Sequence, residues 1–270
     1  MMSTPPRLHV ITATQSPMAL ILRRGPSRHV ATIGWNRDTG VFELGQWLKG
    51  RIFEHRSDLS PDGRLFVYFA GKGGTRWWTA VSRAPWLTAD LWLPQSDTWG
   101  GGGAFTETGE LWLSNGLTDE EAAGTSIKLA KDRMAYPNST DGFHMGDTYA
   151  AMMAKRGWHH VSGIRYETVL QKPVNDGWHL QLWFDIGAKD RSIIANRYGL
   201  VNTLTGQSEV FPDWEWADVY GDVLQIAKRG AVYEATLDAD GILSDQKLLK
   251  DFSDMTFEER LAPYKPQRKK

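Results

Sequence analysis

At 270 residues, with 31 basic against 32 acidic side chains and a net charge of -1, the chain lacks the basic excess of a general polyanion-binding surface. The absence of cysteine excludes disulfides, thiol nucleophiles and Cys-ligated metal, and fits a reducing compartment. The compositional outliers are 27 Gly, which suit many tight turns, and 13 Trp, which serve as packing units between sheets or as stacking surfaces for a ligand.

Near the N-terminus, Val10–Leu22 is interrupted by Thr12, Thr14, Gln15, Ser16 and Pro17, so neither an export signal nor a membrane span is expected. The expectation is a cytoplasmic chain with no membrane or nucleic-acid partner. The first unit, residues 8–50, reads as four strands: Leu8–Ala13, Met18–Arg23, Arg28–Trp35 and Val41–Leu44, the last two flanking a turn at Asn36–Gly40. The second unit, 51–96, contains Asp58-Leu59-Ser60-Pro61-Asp62-Gly63-Arg64-Leu65, in which Pro pre-sets φ, Asp bonds its own backbone and Gly takes positive φ. Weaker echoes lie at Ala13–Leu22 and Phe105–Leu113. From Leu20 to Leu65 is 45 residues and from Leu65 to Leu111 is 46, the period of a β-propeller blade.

The second unit continues through Leu65–Ala70, a hairpin at Gly71-Lys72-Gly73-Gly74, Thr75–Ser82 and an outer strand at Trp86–Leu93. The third, 97–135, starts at Asp97-Thr98-Trp99 and passes four consecutive glycines, Gly100–Gly103, that let the backbone approach a neighbour closely. Within it, Thr118-Asp119-Glu120-Glu121 is a capping box that starts a helical turn ending near Gly124. An insertion at 136–157 interrupts the repeat with a polar loop and a helix from Asp147 to Arg156. Tyr149, Met152 and Met153 share one face of that helix, and Gly157 stops it. The helix either braces the fold or carries binding residues.

The fourth unit, 158–212, has strands at Arg165–Leu170, Trp178–Ile186, Ile194–Asn202 and Ser208–Phe211. The fifth, 213–250, starts at Trp214-Glu215-Trp216 and has strands at Val223–Ala227, Ala231–Leu237 and Lys247–Leu249. In the remaining tail, 251–270, Asp254–Leu261 has the composition of a short helix stopped by Pro263, and Lys265–Lys270 is a basic, solvated end. The expected fold is therefore all-β: a single five-bladed β-propeller domain with four-stranded blades and a short helical insertion near 144–157.

Ser60-Pro61-Asp62-Gly63-Arg64 resembles the strand–turn–strand repeat of propellers related to the periplasmic TolB protein. The chain as a whole resembles an uncharacterised bacterial family of propeller-like proteins, through Arg24-Gly25-Pro26-Ser27 to Arg64, Asp97-Thr98-Trp99 with its glycines, and Asp251-Phe252 to Ala262-Pro263-Tyr264. That resemblance implies architecture and no chemistry, and without an export signal an envelope role is not expected.

Propeller ligands commonly meet the channel mouth. The residues placed there are His55, Arg56 and Asp58; Asp97 and Trp99; Trp158, His159 and His160; and Trp214, Glu215 and Asp218. Of these, Arg56, Asp58, Asp97, Trp99, His159, Glu215 and Asp218 form the candidate ligand-binding set. Asp58, Asp97, Glu215 and Asp218 have the chemistry for acid/base work on a sugar if they converge; otherwise they bond backbone and Trp N–H groups between blades. His159-His160 is a poor metal pair, because neighbours on a strand point to opposite faces.

Gly71-Lys72-Gly73-Gly74-Thr75 fails as a phosphate loop, since Gly73 follows the lysine and a strand rather than a helix comes next. Asp238-Ala239-Asp240-Gly241 is half a calcium loop and reads as a turn. No cofactor or metal is expected. The reading is a monomeric, non-catalytic binding scaffold for a protein or small polar ligand at the channel mouth; the alternative is a hydrolase acting on a sugar-like substrate.

Overall fold

Turn chemistry decides where the strands of this chain stop. In the computed structural model, which describes residues 4–25, 28–118, 120–121, 124–132, 135–137, 145–164, 167–186 and 194–264, Gly63 N–H donates to Ser60 O at 2.8 Å and Gly63 takes φ +77°. The Ser60 hydroxyl donates to Asp62 Oδ1 at 2.6 Å, and Asp62 Oδ1 accepts the Arg64 N–H at 3.0 Å. Pro61 O accepts from Gln15 N–H at 2.9 Å, and a Cβ on Gly63 would collide with Met18, so this turn packs on the one between the first two strands.

The strands form five sheets in chain order. Sheet one holds β1 (Arg7–Thr12), β2 (Met18–Arg24), β3 (His29–Asn36) and β4 (Val41–Lys49). Sheet two holds β5 (Arg51–Ile52), β6 (Asp58–Leu59), β7 (Leu65–Lys72), β8 (Arg76–Arg83) and β9 (Ala89–Gln95). Sheet three is the pair β10 (Gly103–Phe105) and β11 (Leu111–Leu113). After helix α1 (Met145–Ala154) comes sheet four: β12 (His159–Ile164), β13 (Glu167–Pro173), β14 (Trp178–Ile186), β15 (Ile194–Asn202) and β16 (Ser208–Phe211). Sheet five holds β17 (Trp216–Tyr220), β18 (Val223–Lys228), β19 (Ala231–Ala235) and β20 (Lys247–Asp251). The chain is nearly all-β, and five consecutive antiparallel sheets fit a five-bladed propeller.

The expectation of four strands per blade holds for sheets one and five and needs correction elsewhere. In sheet two a 3-10 turn at Glu54–Arg56 splits one strand into β5 and β6, and both pair with β7. Sheet three keeps two strands, because Gly100–Gly102 bring no side chains to a ladder and β10 starts only at Gly103. Sheet four gains β12, an edge strand exposed along its whole length. The helix expected at 254–261 is absent; tertiary hydrogen bonds hold that stretch against β4 instead. Arg260 donates to Leu44 O, and Gln46 Nε2 donates to Arg260 O at 2.8 Å.

The helical signals fare better. Thr118 and Glu121 close the capping box reciprocally, Thr118 N–H donating to Glu121 Oε2 at 2.9 Å and Glu121 N–H to Thr118 Oγ1 at 3.2 Å. Helix α1 begins at Met145 rather than after Asp147, which sits inside its first turn. Its end is a Schellman motif: Trp158 N–H reaches Met153 O at 3.2 Å, Gly157 N–H reaches Ala154 O at 3.0 Å, and Gly157 has φ +81°. Tyr149, Met152 and Met153 are buried as their spacing requires. Residues 138–144 of the polar loop, Arg165 and Lys265–Lys270 lie outside the described residues.

The chain divides into two compact units, one comprising Val10–Met152 and Thr256–Lys270, the other Met1–His9 and Met153–Met255. In the first, Ile11, Leu20, Leu22 and Val30 of sheet one pack against Ile52, Leu59, Phe66 and Tyr68 of sheet two. Val67, Val81, Leu91 and Leu93 of sheet two then pack against Phe105, Leu111 and Leu113 of sheet three. In the second unit, Trp178 of sheet four lies over Gly241, whose missing Cβ makes room for the indole, and Trp178 Nε1 donates to Ala239 O at 3.2 Å.

Candidate functional site

The residues singled out from the sequence divide between the two units. In the first, Arg56 is buried and pins a loop from below: its guanidinium donates to Thr98 O and, at 2.8 Å, to Trp99 O, and lies 4.5 Å from the centre of the Phe69 ring. Burial pulls its pKa down to about 10, an effect that Asp97 partly opposes. Asp97 Oδ1 accepts the Trp99 N–H at 2.7 Å, so Asp97 and Arg56 together hold a tight turn that presents the Trp99 side chain, 66 % exposed, to solvent. The following glycines bring the backbone against the core, where a Cβ at Gly101 would strike the Phe69 ring. His55 is buried edge-on against Tyr149 of α1, ring centres 4.8 Å apart.

Asp58 is fully buried and joins two sheets. Its Oδ1 accepts the Leu59 N–H at 3.0 Å and its Oδ2 the Phe105 N–H of β10 at 2.8 Å. In the second unit Asp218 plays a similar part between sheets four and five, accepting from Lys172 Nζ at 2.6 Å with both side chains largely buried. Glu215 Oε2 accepts the Leu8 N–H at 2.7 Å, and burial raises its pKa above the ordinary carboxylate range. Trp214 is buried and stacks on Phe211, ring centres 4.0 Å apart. His159 and His160 are exposed on β12, and His160 Nε2 lies 2.7 Å from Gly163 O. Trp158 is buried with its ring edge toward Tyr198. Asp238 makes the turn expected of it: its Oδ1 accepts the Ile242 N–H at 2.8 Å. Among the described residues no group of three or more His, Asp or Glu gathers as metal ligands.

The first unit holds a concavity that its sequence does not announce. A cleft of about 390 Å³ opens between Arg24, Arg28, His29, Arg51, Phe53 and Trp77, with Gly50, Gly71, Gly73 and Gly74 completing its walls. Arg24 pairs with Glu54 at 2.8 Å, and the Arg51 guanidinium lies 4.5 Å from the centre of the Phe53 ring. Desolvation, and then repulsion from Arg24, lowers the pKa of Arg51, with Glu54 acting in the opposite sense. A Cβ on Gly71 would overlap the Trp77 ring, so the missing side chain lets the indole lie against the strand. The hairpin rejected as a phosphate loop, Gly71–Gly74, thus forms one wall of a basic cleft. The sequence signal available was the cation–aromatic alternation of Arg51-Ile52-Phe53, but residues 24, 28, 51, 53 and 77 share no period.

No protein-family model and no curated protein sequence matches the chain. Similar solved structures include an uncharacterised protein from Listeria monocytogenes, 10% identical, covering 94% of this chain and 85% of its own, with a TM-score of 0.35. The β-propeller domain of the Trilobed protease from Pyrococcus furiosus is 10% identical, covering 93% of this chain and 100% of its own, TM-score 0.34. A GH43 protein from Bacillus licheniformis is 12% identical, covering 96% of this chain and 59% of its own, TM-score 0.32. No helix among the described residues is long and apolar enough to cross a membrane.

Proposed function

We propose that this protein is a non-catalytic binding module that takes a small polar ligand, with the arginine–aromatic cleft of its first unit as the seat. The observation that carries this reading is the cleft itself: a concavity of ligand size, about 390 Å³, combining three guanidiniums with two aromatic rings. The four carboxylates that the sequence offered for acid/base work each hold a structural partner, Asp97 taking the Trp99 N–H. Asp58 holds two backbone N–H groups, Asp218 holds Lys172 and Glu215 holds Leu8. A hydrolytic pair needs one carboxylate poised beside the scissile bond and another facing it.

The test is a thermal-shift screen of the full chain against monosaccharides, dicarboxylates and nucleotides, run beside an assay for hydrolysis of p-nitrophenyl glycosides. At least one polar compound raises the melting temperature by several degrees at saturation, as expected when a ligand binds only the folded state, and no glycoside is cleaved. Glycoside turnover that disappears in Asp218→Asn overturns this reading in favour of a hydrolase.

A further inference from the structure

We propose that the cleft bounded by Arg24, Arg28 and Arg51 is a site for a small phosphate ester carrying a planar ring, of the class of a nucleoside monophosphate, seated with its phosphate among the guanidiniums and its ring on Trp77. This rests on the reading of the protein as a binding module and names the ligand class. Three independent features point to it.

The first is charge. The cleft gathers three guanidiniums, and the carboxylate that pairs into them is Glu54, held by Arg24 at 2.8 Å. The surplus is two positive charges, the complement of a phosphate monoester, which carries about -1.5 to -2 at neutral pH. Guanidiniums are also the side chains best shaped to grip phosphate oxygens through paired N–H groups. Arg51 feels the repulsion of Arg24, and an anion placed between them offsets it.

The second is the aromatic wall. Trp77 is half-buried, with its ring packed on Gly71 and flanked by Phe53 and Phe69 at 6.0 and 6.3 Å between ring centres. An indole fixed by neighbours and lining a cleft is a stacking platform, and stacking on such a ring accepts any flat heterocycle.

The third is space. The hairpin tip at Gly73 and Gly74 has positive φ at both residues, and a Cβ added at either would meet nothing within 4 Å. That wall is open backbone, so a bulky ring has room beside Trp77. The volume of about 390 Å³ suits one mononucleotide rather than a polymer, in keeping with the net charge of -1 on the whole chain.

The experiment is isothermal titration of the full chain with AMP, adenosine and inorganic phosphate, at two salt concentrations. AMP binds, and adenosine and phosphate each bind about ten- to a hundredfold more weakly, because each keeps one half of the contacts. Arg28→Gln and Arg51→Gln each weaken AMP by about tenfold or more and flatten its salt dependence. Trp77→Leu weakens AMP and adenosine and leaves inorganic phosphate unchanged; Trp77→Phe, which preserves the packing on Gly71, restores most of the AMP affinity and separates a stacking role from a folding defect. Equal affinity for AMP and phosphate, indifferent to Trp77→Leu, reduces the cleft to an anion site and overturns the ring assignment. AMP binding untouched by both arginine variants puts the ligand elsewhere and overturns the site. Failure of all three probes to bind at millimolar concentration overturns the ligand class, and a sugar or dicarboxylate hit in the thermal-shift screen would then leave the binding-module reading standing.

Discussion

Asp58, buried, and Glu215, half-buried, show how differently two carboxylates of one fold can behave. Asp58, 0 % exposed, is an acceptor for two backbone N–H groups, one of them on the next sheet. Asp58→Ala leaves both donors dry and is expected to cost about 2–4 kcal/mol, whereas Asp58→Asn keeps an acceptor oxygen and costs less. Urea denaturation of the two variants separates these outcomes, and near-wild-type stability for Asp58→Ala would release the residue for a ligand-binding role. Glu215 accepts from Leu8 N–H at 2.7 Å, and desolvation raises its pKa against the opposing pull of backbone donors at Leu8 and Arg229. An acid whose folded pKa is raised contributes stability at low pH that is lost as pH rises through the folded value. Glu215→Gln still accepts from Leu8 but has no charge to desolvate. Its melting temperature relative to wild type should therefore rise between pH 4 and pH 7; a difference constant across that range would show that burial of the charge costs nothing.

Among the elements, what was legible in the sequence is whatever short-range chemistry decides. The Ser60–Arg64 turn, the Thr118–Glu121 capping box and the Gly157 stop each depend on residues within five positions of one another, and each forms with the hydrogen bonds its residues imply. Gly157→Ala tests the last of these. It forces a Cβ into φ +81° and should cost about 1–2 kcal/mol, seen as fraying of α1 by amide exchange. Trp216, 4 % exposed at the start of β17, is a packing residue, and Trp216→Ala should destabilise by about 3–5 kcal/mol. A loss under about 1 kcal/mol would show that the site collapses around the missing ring. The elements misread are those that long-range contacts decide. Residues 254–261 have helix-forming composition, but Gln46 and Leu44 offer them backbone and side-chain partners outside a helix. The arginine cleft was illegible for the same reason: the β2–β3 connection, residues 50–53 around β5 and the β7–β8 hairpin with Trp77 supply its residues, and only the packing of sheet one beside sheet two brings those three segments together.

At the scale of the whole chain, the segment from Thr256 to Tyr264 belongs to the first compact unit although the last sheet of the second precedes it directly. It works there as a strap. The Phe257 ring meets Trp47 of β4 and His29 of β3, the Arg260 guanidinium lies 5.3 Å from the Trp86 ring centre, and Tyr264 Oη donates to Thr88 O at 2.6 Å. Gln46 connects these contacts: its Oε1 accepts from Leu87 and Thr88 N–H at 2.8 and 2.9 Å while its Nε2 holds the strap at Arg260 O. Desolvation pushes the Tyr264 phenol up to about 12, consistent with a tyrosine held against protein rather than solvated. Ending the chain after Met255 therefore removes the cover of β4 and of residues 86–88 while leaving every contact within sheets four and five in place. Native-state hydrogen exchange of the shortened chain should show protection falling by about an order of magnitude or more in β3, β4 and the 86–88 segment, with β14 and β18 unchanged. Equal loss of protection in β14 and β18 would mean that the two units open as one cooperative body, and unchanged protection in β4 would mean that the strap rests on the sheet without stabilising it.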